Sequence, residues 1–151
     1  MQFSELGNIL RIGRAFDTYR RQVIKEPELH PGLQILLSHI CRNPGCSQEF
    51  LVERVGIDKT TVAHHLVRLE EKGYIERRVS SHDARMREVY PTSKAEAIYP
   101  KLHEAHEVFH EALLKGLSKK DKQELSRLSD ILYQNVRELI RQNAKGKGEE
   151  S

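Results

Sequence analysis

Apolar stripes at helical spacing, separated by short polar breaks, organise the chain from its first residues. Over residues 3–25, Phe3, Leu6, Leu10, Phe16 and Val23 mark one side of a helix, while Arg11, Arg14, Arg20 and Arg21 mark the polar side. Pro27 ends it, since proline has no N–H to give to the ladder. Pro31-Gly32 opens a second helix carrying Leu33, Leu36, Leu37 and Ile40 to about Arg42, and Asn43-Pro44-Gly45 stops it. Ser47 is the expected N-cap of a short third helix, Gln48 to Val55, with Glu49 placed where the helix dipole favours negative charge. Gly56 closes that helix. Asp58 caps a fourth, Lys59 to Lys72, closed by Gly73.

The period then changes. Tyr74 to Val79 and Arg87 to Tyr90 are short and β-prone, and the polar stretch Ser80 to Met86 between them predicts a β-hairpin. Ser93 with Glu96 forms a capping pattern that predicts a long fifth helix, with Ile98, Leu102, Ala105, Phe109 and Leu113 as its stripe. Pro100 inside it is expected to kink or delay it, and Gly116 to end it. Ser118 with Asp121 repeats the capping pattern for a sixth helix reaching about Gln142, striped by Leu125, Leu128, Leu132, Val136 and Leu139. The expected order is ααααββαα: a mainly α fold with one small hairpin, and a disordered tail over residues 144–151.

Two short helices across the tight Gly56-Ile57-Asp58 turn form a helix-turn-helix pattern, and a hairpin directly after it reads as a wing. Val62, Leu66 and Leu69 would pack the fourth helix on the third. Its other side presents Lys59, Thr60, Thr61, His64 and Arg68. Short polar side chains near a helix N-terminus, flanked by cations, are what a major groove requires, because hydroxyls and imidazoles reach base edges and cations neutralise phosphates. Ser47 and Gln48 at the start of the third helix can donate to a phosphate. Arg85 lies at the tip of the hairpin loop, where it can enter a narrow minor groove. Asp83, two residues earlier, can pair with Arg85 and hold it. Arg77, with Arg78 and Arg87, lies on the strands within reach of phosphates. His65 is left open between a core-edge position and a DNA contact.

At these residues the sequence resembles the MarR family. The stretch Gly56-Ile57-Asp58-Lys59-Thr60-Thr61-Val62, the run from Leu69 through Lys72-Gly73-Tyr74-Ile75 to Arg78, and the wing motif Asp83-x-Arg85 carry the resemblance, which by order of elements spans nearly the whole chain. It implies one winged helix-turn-helix domain over 1–151, with a DNA-binding module at 33–92 and dimerisation helices at 1–28 and 97–143. It implies that the fourth helix reads the major groove and the Arg85 wing the minor groove. It further implies effector binding near the junction of the dimerisation and DNA-binding parts, usually relieving repression. Two departures stand out. The family often has Thr-x-Lys-Gly after the wing, where this chain has Thr92-Ser93-Lys94-Ala95, and the position of His65 is often apolar.

Composition narrows the alternatives. The 151 residues carry a formal net charge of only +3, so nucleic-acid binding is argued from local cations rather than overall charge. No apolar run is long enough to span a membrane, and the first residues lack the basic-then-apolar pattern of a signal peptide. Two cysteines, Cys41 and Cys46, make no disulfide framework, so reduced thiols and a cytoplasmic location are expected. The apolar stripes of the terminal helices exceed what the small central module can cover, which points to a homodimer on a roughly palindromic double-stranded operator. No phosphate loop, nucleophile elbow or paired carboxylates appear, so no enzymatic activity is expected. Tyr19 and His30 are the candidate effector-pocket residues. His106 and His110, four residues apart beside His103 on the fifth helix, are candidate zinc ligands, and zinc sensing is therefore an alternative to a small organic effector. A helical dimer that binds protein instead of DNA is the alternative from another class.

Overall fold

The computed structural model describes residues 4–146. Phe3 and residues 147–151 of the expected tail lie outside them. The elements are α1 (Glu5–Val23), α2 (Pro31–Arg42), α3 (Gln48–Val55), α4 (Lys59–Glu71), β1 (Ile75–Val79), β2 (Arg87–Pro91), α5 (Ser93–Leu113) and α6 (Lys119–Gly146). The fold is mainly helical with one two-stranded antiparallel hairpin, in the expected order. The chain divides into two compact units, residues 1–109 and 110–151.

In the first unit α2 is the centre. Leu33, Leu36, Leu37 and Ile40 are fully buried on it, together with Gln34. Leu51 of α3, Val62, Leu66 and Leu69 of α4, Ile75 and Val89 of the hairpin, and Ala95, Ile98, Leu102 and Ala105 of α5 complete one continuous core. Burying each leucine contributes about 1.5–3 kcal/mol, so α2 holds its neighbours chiefly by apolar contact. Local signals set the breaks between these helices. Ser47 Oγ accepts the Phe50 N–H at 3.1 Å, and Gly56 leaves α3 in the left-handed region at φ 71°. That conformation is open to glycine without the Cβ clash of other residues.

The hairpin pairs Ile75 with Pro91 and Val79 with Arg87. The sequence does not reveal a third participant. The Gly45 N–H donates to the Val89 carbonyl at 2.8 Å, and the Val89 N–H to the Cys46 carbonyl at 2.9 Å, so the α2–α3 turn is stitched onto β2. Gly45 has φ 84°, and the Tyr90 hydroxyl lies 3.0 Å from where a Cβ would stand, so both backbone and space call for glycine there.

Three local expectations are corrected. The carbonyl of Thr92 accepts the Glu96 N–H, which puts Thr92 at the N-cap of α5 and Ser93 inside the helix. The Thr92 hydroxyl is used instead on the Gly73 carbonyl. Pro100 neither delays nor breaks α5, which runs unbroken across it. Finally, α6 continues to Gly146, into the stretch expected to be disordered. At the other end Ser4 caps α1, its Oγ accepting the Gly7 N–H at 3.2 Å.

The second unit is built on α6, which opens with a full capping box. Ser118 N–H and Oγ both donate to Asp121 Oδ2, and the Asp121 N–H returns to Ser118 Oγ at 3.1 Å. The Ser118 hydroxyl bond, and then its backbone N–H, hold the Asp121 carboxyl below its usual range. No residue of α6 is buried, and its stripe of Leu125, Leu128, Leu132, Val136 and Leu139 is exposed.

Because Leu66 anchors α4 at 1% exposure, Leu66→Ala is expected to cost about 2–5 kcal/mol of unfolding free energy, read by urea denaturation followed by far-UV circular dichroism.

Candidate nucleic-acid interface

The outward side of α4 is polar by construction, since Val62, Leu66 and Leu69 take its apolar side into the core. Lys59, Thr60, His64 and Arg68 are exposed along it. Thr61 is different. Its hydroxyl donates to Asp58 Oδ2 at 2.7 Å, and its N–H to Asp58 Oδ1 at 2.8 Å. These bonds, the hydroxyl first, hold the Asp58 carboxyl below its usual range. The side chain of Thr61 is thereby committed to the cap, leaving Thr60 and His64 as the uncommitted hydroxyl and imidazole of the first two turns.

His65 sits on the inner side of α4. Its ring meets that of His30 edge-on at 5.3 Å, and its Nδ1 is buried with no hydrogen-bond partner. Gly32 makes this approach possible, because a Cβ there would stand 3.0 Å from His65 Cε1. Both imidazoles are held below their usual range, chiefly by burial. Arg68, Arg21 and Lys72 add to this at His30; His30, Arg68 and His64 add to it at His65, with Asp58 opposing.

Two further polar groups stand on α3 and on the hairpin. Ser47 accepts from Phe50, a bond that leaves its O–H hydrogen for an outside acceptor, and Gln48 follows in the first turn of α3. On the hairpin, Asp83 Oδ1 accepts the Arg85 N–H at 2.9 Å and its Nε at 3.5 Å, while the arginine side chain is 93% exposed. The loop is closed beneath it by the Met86 N–H on the Asp83 carbonyl and the Ser80 N–H on the Met86 carbonyl. A guanidinium is thus presented at a tip whose backbone is tied down. Arg77 turns to α4, where its Nε donates to Glu70 Oε2 at 3.0 Å and keeps the Glu70 carboxyl below its usual range. Arg78 pairs with Glu76 and lies 4.3 Å over the Tyr90 ring.

A cavity of about 120 Å³ opens elsewhere in the first unit, among Phe16 and Arg20 of α1, Ser38, His39 and Arg42 of α2, and Tyr99, His103 and His106 of α5. Arg20 is 3% exposed, and its Nη1 reaches the Pro31 carbonyl at 3.4 Å. Burial brings its guanidinium down to about 10, with Asp17 opposing. Burial, and then Arg42, Arg54 and His106, hold His39 low. Sequence reading missed this site. The sequence pattern puts Arg20 on the polar side of α1, and only Phe16, one turn earlier, signals its burial. Tyr19 packs its ring on Phe109 at 5.8 Å and is not among the cavity-lining residues. His30 borders a separate surface hollow with Arg21 and Gln34.

The candidate zinc ligands do not assemble a donor set. Among the described residues no three His, Cys, Asp or Glu side chains come together to hold a metal ion, and the His106 ring packs edge-on against Phe16 at 5.9 Å. The two cysteines are half-buried. Burial, then Glu96, pushes the Cys41 thiol up to about 11, and burial raises Cys46, so both stay protonated at neutral pH. No helix among the described residues is long and apolar enough to cross a membrane.

Comparison with known proteins gives this arrangement a family. A model of the MarR family matches residues 35–86, from α2 through the wing loop. The chain is similar to the HTH-type transcriptional regulator YybA of Bacillus subtilis (strain 168), with 30% identity over 135 residues, covering 87% of this chain and 90% of that one. Among solved structures it resembles the transcriptional regulator SlyA, with TM-score 0.81, 31% identity, and coverage of 90% and 96% of the two chains. It also resembles a MarR family regulator from Listeria monocytogenes in complex with 26mer DNA, with TM-score 0.80, 29% identity, and coverage of 89% and 90%. With helix-turn-helix, hairpin and terminal helices all present in order, this chain belongs to the MarR family of winged helix-turn-helix transcriptional regulators.

Proposed function

We propose that the protein is a cytoplasmic homodimer that binds a roughly palindromic DNA operator as a repressor and releases it in answer to a small organic anion. The observation that carries the DNA reading is the pairing of two polar surfaces on one small unit: the exposed Lys59-Thr60-His64-Arg68 side of α4 and the Asp83-braced Arg85 tip. The first suits base edges and phosphates in a major groove, the second a minor groove. Ser47 and Gln48 at the α3 N-terminus, with Thr61 as a cap, support the same docking. His65, turned inward, supports α4 from behind, and Arg77 reaches phosphate only by sharing its guanidinium with Glu70. The complex of the Listeria relative with DNA is consistent with this role.

Uncovered apolar surface supports the dimer. Leu6, Ile9, Leu10 and Ile12 are exposed on α1, and Ile131, Leu132, Val136, Leu139 and Ile140 on α6, with Ile140 at 66%. Faces of this kind mark interaction sites, and two-fold pairing is the commonest way to close them. Relief by an effector would be a population shift: a ligand favouring a lobe spacing unsuited to the operator lowers DNA affinity by its differential affinity. The cavity beside Arg20 suits a small anion, because a buried guanidinium with one long hydrogen bond gains most from a carboxylate. The histidines of α5 serve that cavity better than a metal, since His103 and His106 line it.

Two outcomes test these assignments. In fluorescence anisotropy at fixed salt, Arg85→Ala is expected to weaken binding to every duplex roughly tenfold or more, whereas Thr60→Ala and His64→Ala change which bases are preferred. Unchanged affinity for Arg85→Ala at physiological salt would sink the wing assignment. In a thermal-shift panel of small aromatic and aliphatic carboxylates, some are expected to raise the melting temperature of the wild type but not of Arg20→Gln. Equal shifts in both proteins would remove Arg20 from the effector site.

A further inference from the structure

The turn joining α4 to the wing is fastened to segments far away in sequence. Lys72, Gly73 and Tyr74 make that turn. The Lys72 carbonyl accepts from Lys94 Nζ at 2.8 Å, the Gly73 carbonyl from the Thr92 hydroxyl at 2.6 Å, and the Tyr74 carbonyl from the Thr92 N–H at 3.0 Å. All three carbonyls therefore end on the head of α5. The side chains then converge on the loop between α1 and α2. The Tyr74 hydroxyl donates to Glu28 Oε1 at 2.7 Å, Lys94 Nζ donates to the same oxygen at 2.8 Å, and the Lys94 ammonium lies 4.2 Å over the Tyr74 ring.

The Glu28 carboxylate and the Tyr74 phenol are each held in the protonation state this arrangement needs. The bond from Lys94, and then that from Tyr74, keep the Glu28 carboxyl below its usual range. Burial first, and the Glu28 carboxylate second, push the Tyr74 phenol up, so it remains a donor. Tyr74 is 2% exposed, whereas the Glu28 and Lys94 side chains are 38% and 47% exposed. A half-exposed ion pair adds little to fold stability. It fixes direction instead, since one carboxylate oxygen gathers two donors that belong to the wing base and the α5 head. The Thr92-x-Lys94 motif noted in the sequence thereby acquires a task outside the DNA-facing surface.

We infer that Glu28, Tyr74 and Lys94 are positioning residues for operator recognition: they set the angle at which α4 and the wing leave α1 and α5, and so the separation of the two recognition helices in a dimer. The inference rests on the DNA-binding dimer proposed above. Two recognition helices on one face of DNA must fall about one helical turn, ~34 Å, apart. A fixed angle makes the dimer read the spacer between half-sites, and a loosened one makes it tolerant of spacer length.

The test uses the full chain and the variants Glu28→Gln, Lys94→Met and Tyr74→Phe. Anisotropy is measured on duplexes with identical half-sites selected from a random pool, with the spacer at its preferred length and one base pair shorter or longer, and on a duplex without half-sites. The wild type is expected to prefer one spacer roughly tenfold, and the variants to lose most of that preference, keeping wild-type affinity for the duplex without half-sites and a near-wild-type melting temperature. Retained spacer preference would overturn the inference. So would uniform weakening on every duplex together with a lowered melting temperature, which is the mark of a merely structural tie. A wild type that binds none of the duplexes would overturn the DNA-binding reading itself, and this inference with it.

Discussion

Burial of the Leu33-Leu36-Leu37-Ile40 stripe of α2 is the constraint from which the rest of the first unit follows. Leu33, Leu36, Leu37 and Ile40 have no exposed surface, and α3, α4 and the hairpin all pack on this helix. Once α2 claims Leu51 of α3 and Val62, Leu66 and Leu69 of α4, the orientation of α4 is decided. Lys59, Thr60, His64 and Arg68 must then face away from the core. The polar face of α4 is in this sense a by-product of core packing, and the helix that carries it is held rigidly for the same reason.

Electrostatics acts locally on that frame. With a net charge of +3, the protein as a whole attracts DNA weakly, and the candidate interface depends on where cations stand. Carboxylates sort them. Glu70 turns Arg77 inward against α4, Glu76 takes Arg78, and Asp83 braces Arg85 from the backbone side while leaving it in solvent. Arg20 is the opposite case, a cation drawn out of solvent over the Phe16 ring, with the Pro31 carbonyl at 3.4 Å as its hydrogen-bond acceptor.

Elements with a strong period were legible in the sequence: the six helices, the hairpin, and the caps at Ser47, Asp58 and Ser118 correspond closely to the structure. Thr92 and Ser93 stand side by side with equal capping chemistry, and tertiary contact with Gly73 decides between them. The pairing of Cys46 with Val89 is a single bridge without any periodic signal. Of the candidate site, Asp83 and Arg85 are two residues apart, and their pairing could be read directly. Burial of Arg20, the inward turn of His65 and the Glu28–Tyr74–Lys94 cluster are products of contact across 11, 46 and 66 residues or between separate elements, which no local pattern encodes.

Selection from a random duplex pool with purified protein separates a two-fold reader of duplex DNA from a single-site one. Enrichment of an inverted repeat whose half-sites lie about one helical turn apart is expected. Enrichment of an isolated half-site would contradict the dimeric geometry, and no enrichment at any salt concentration would contradict DNA recognition altogether.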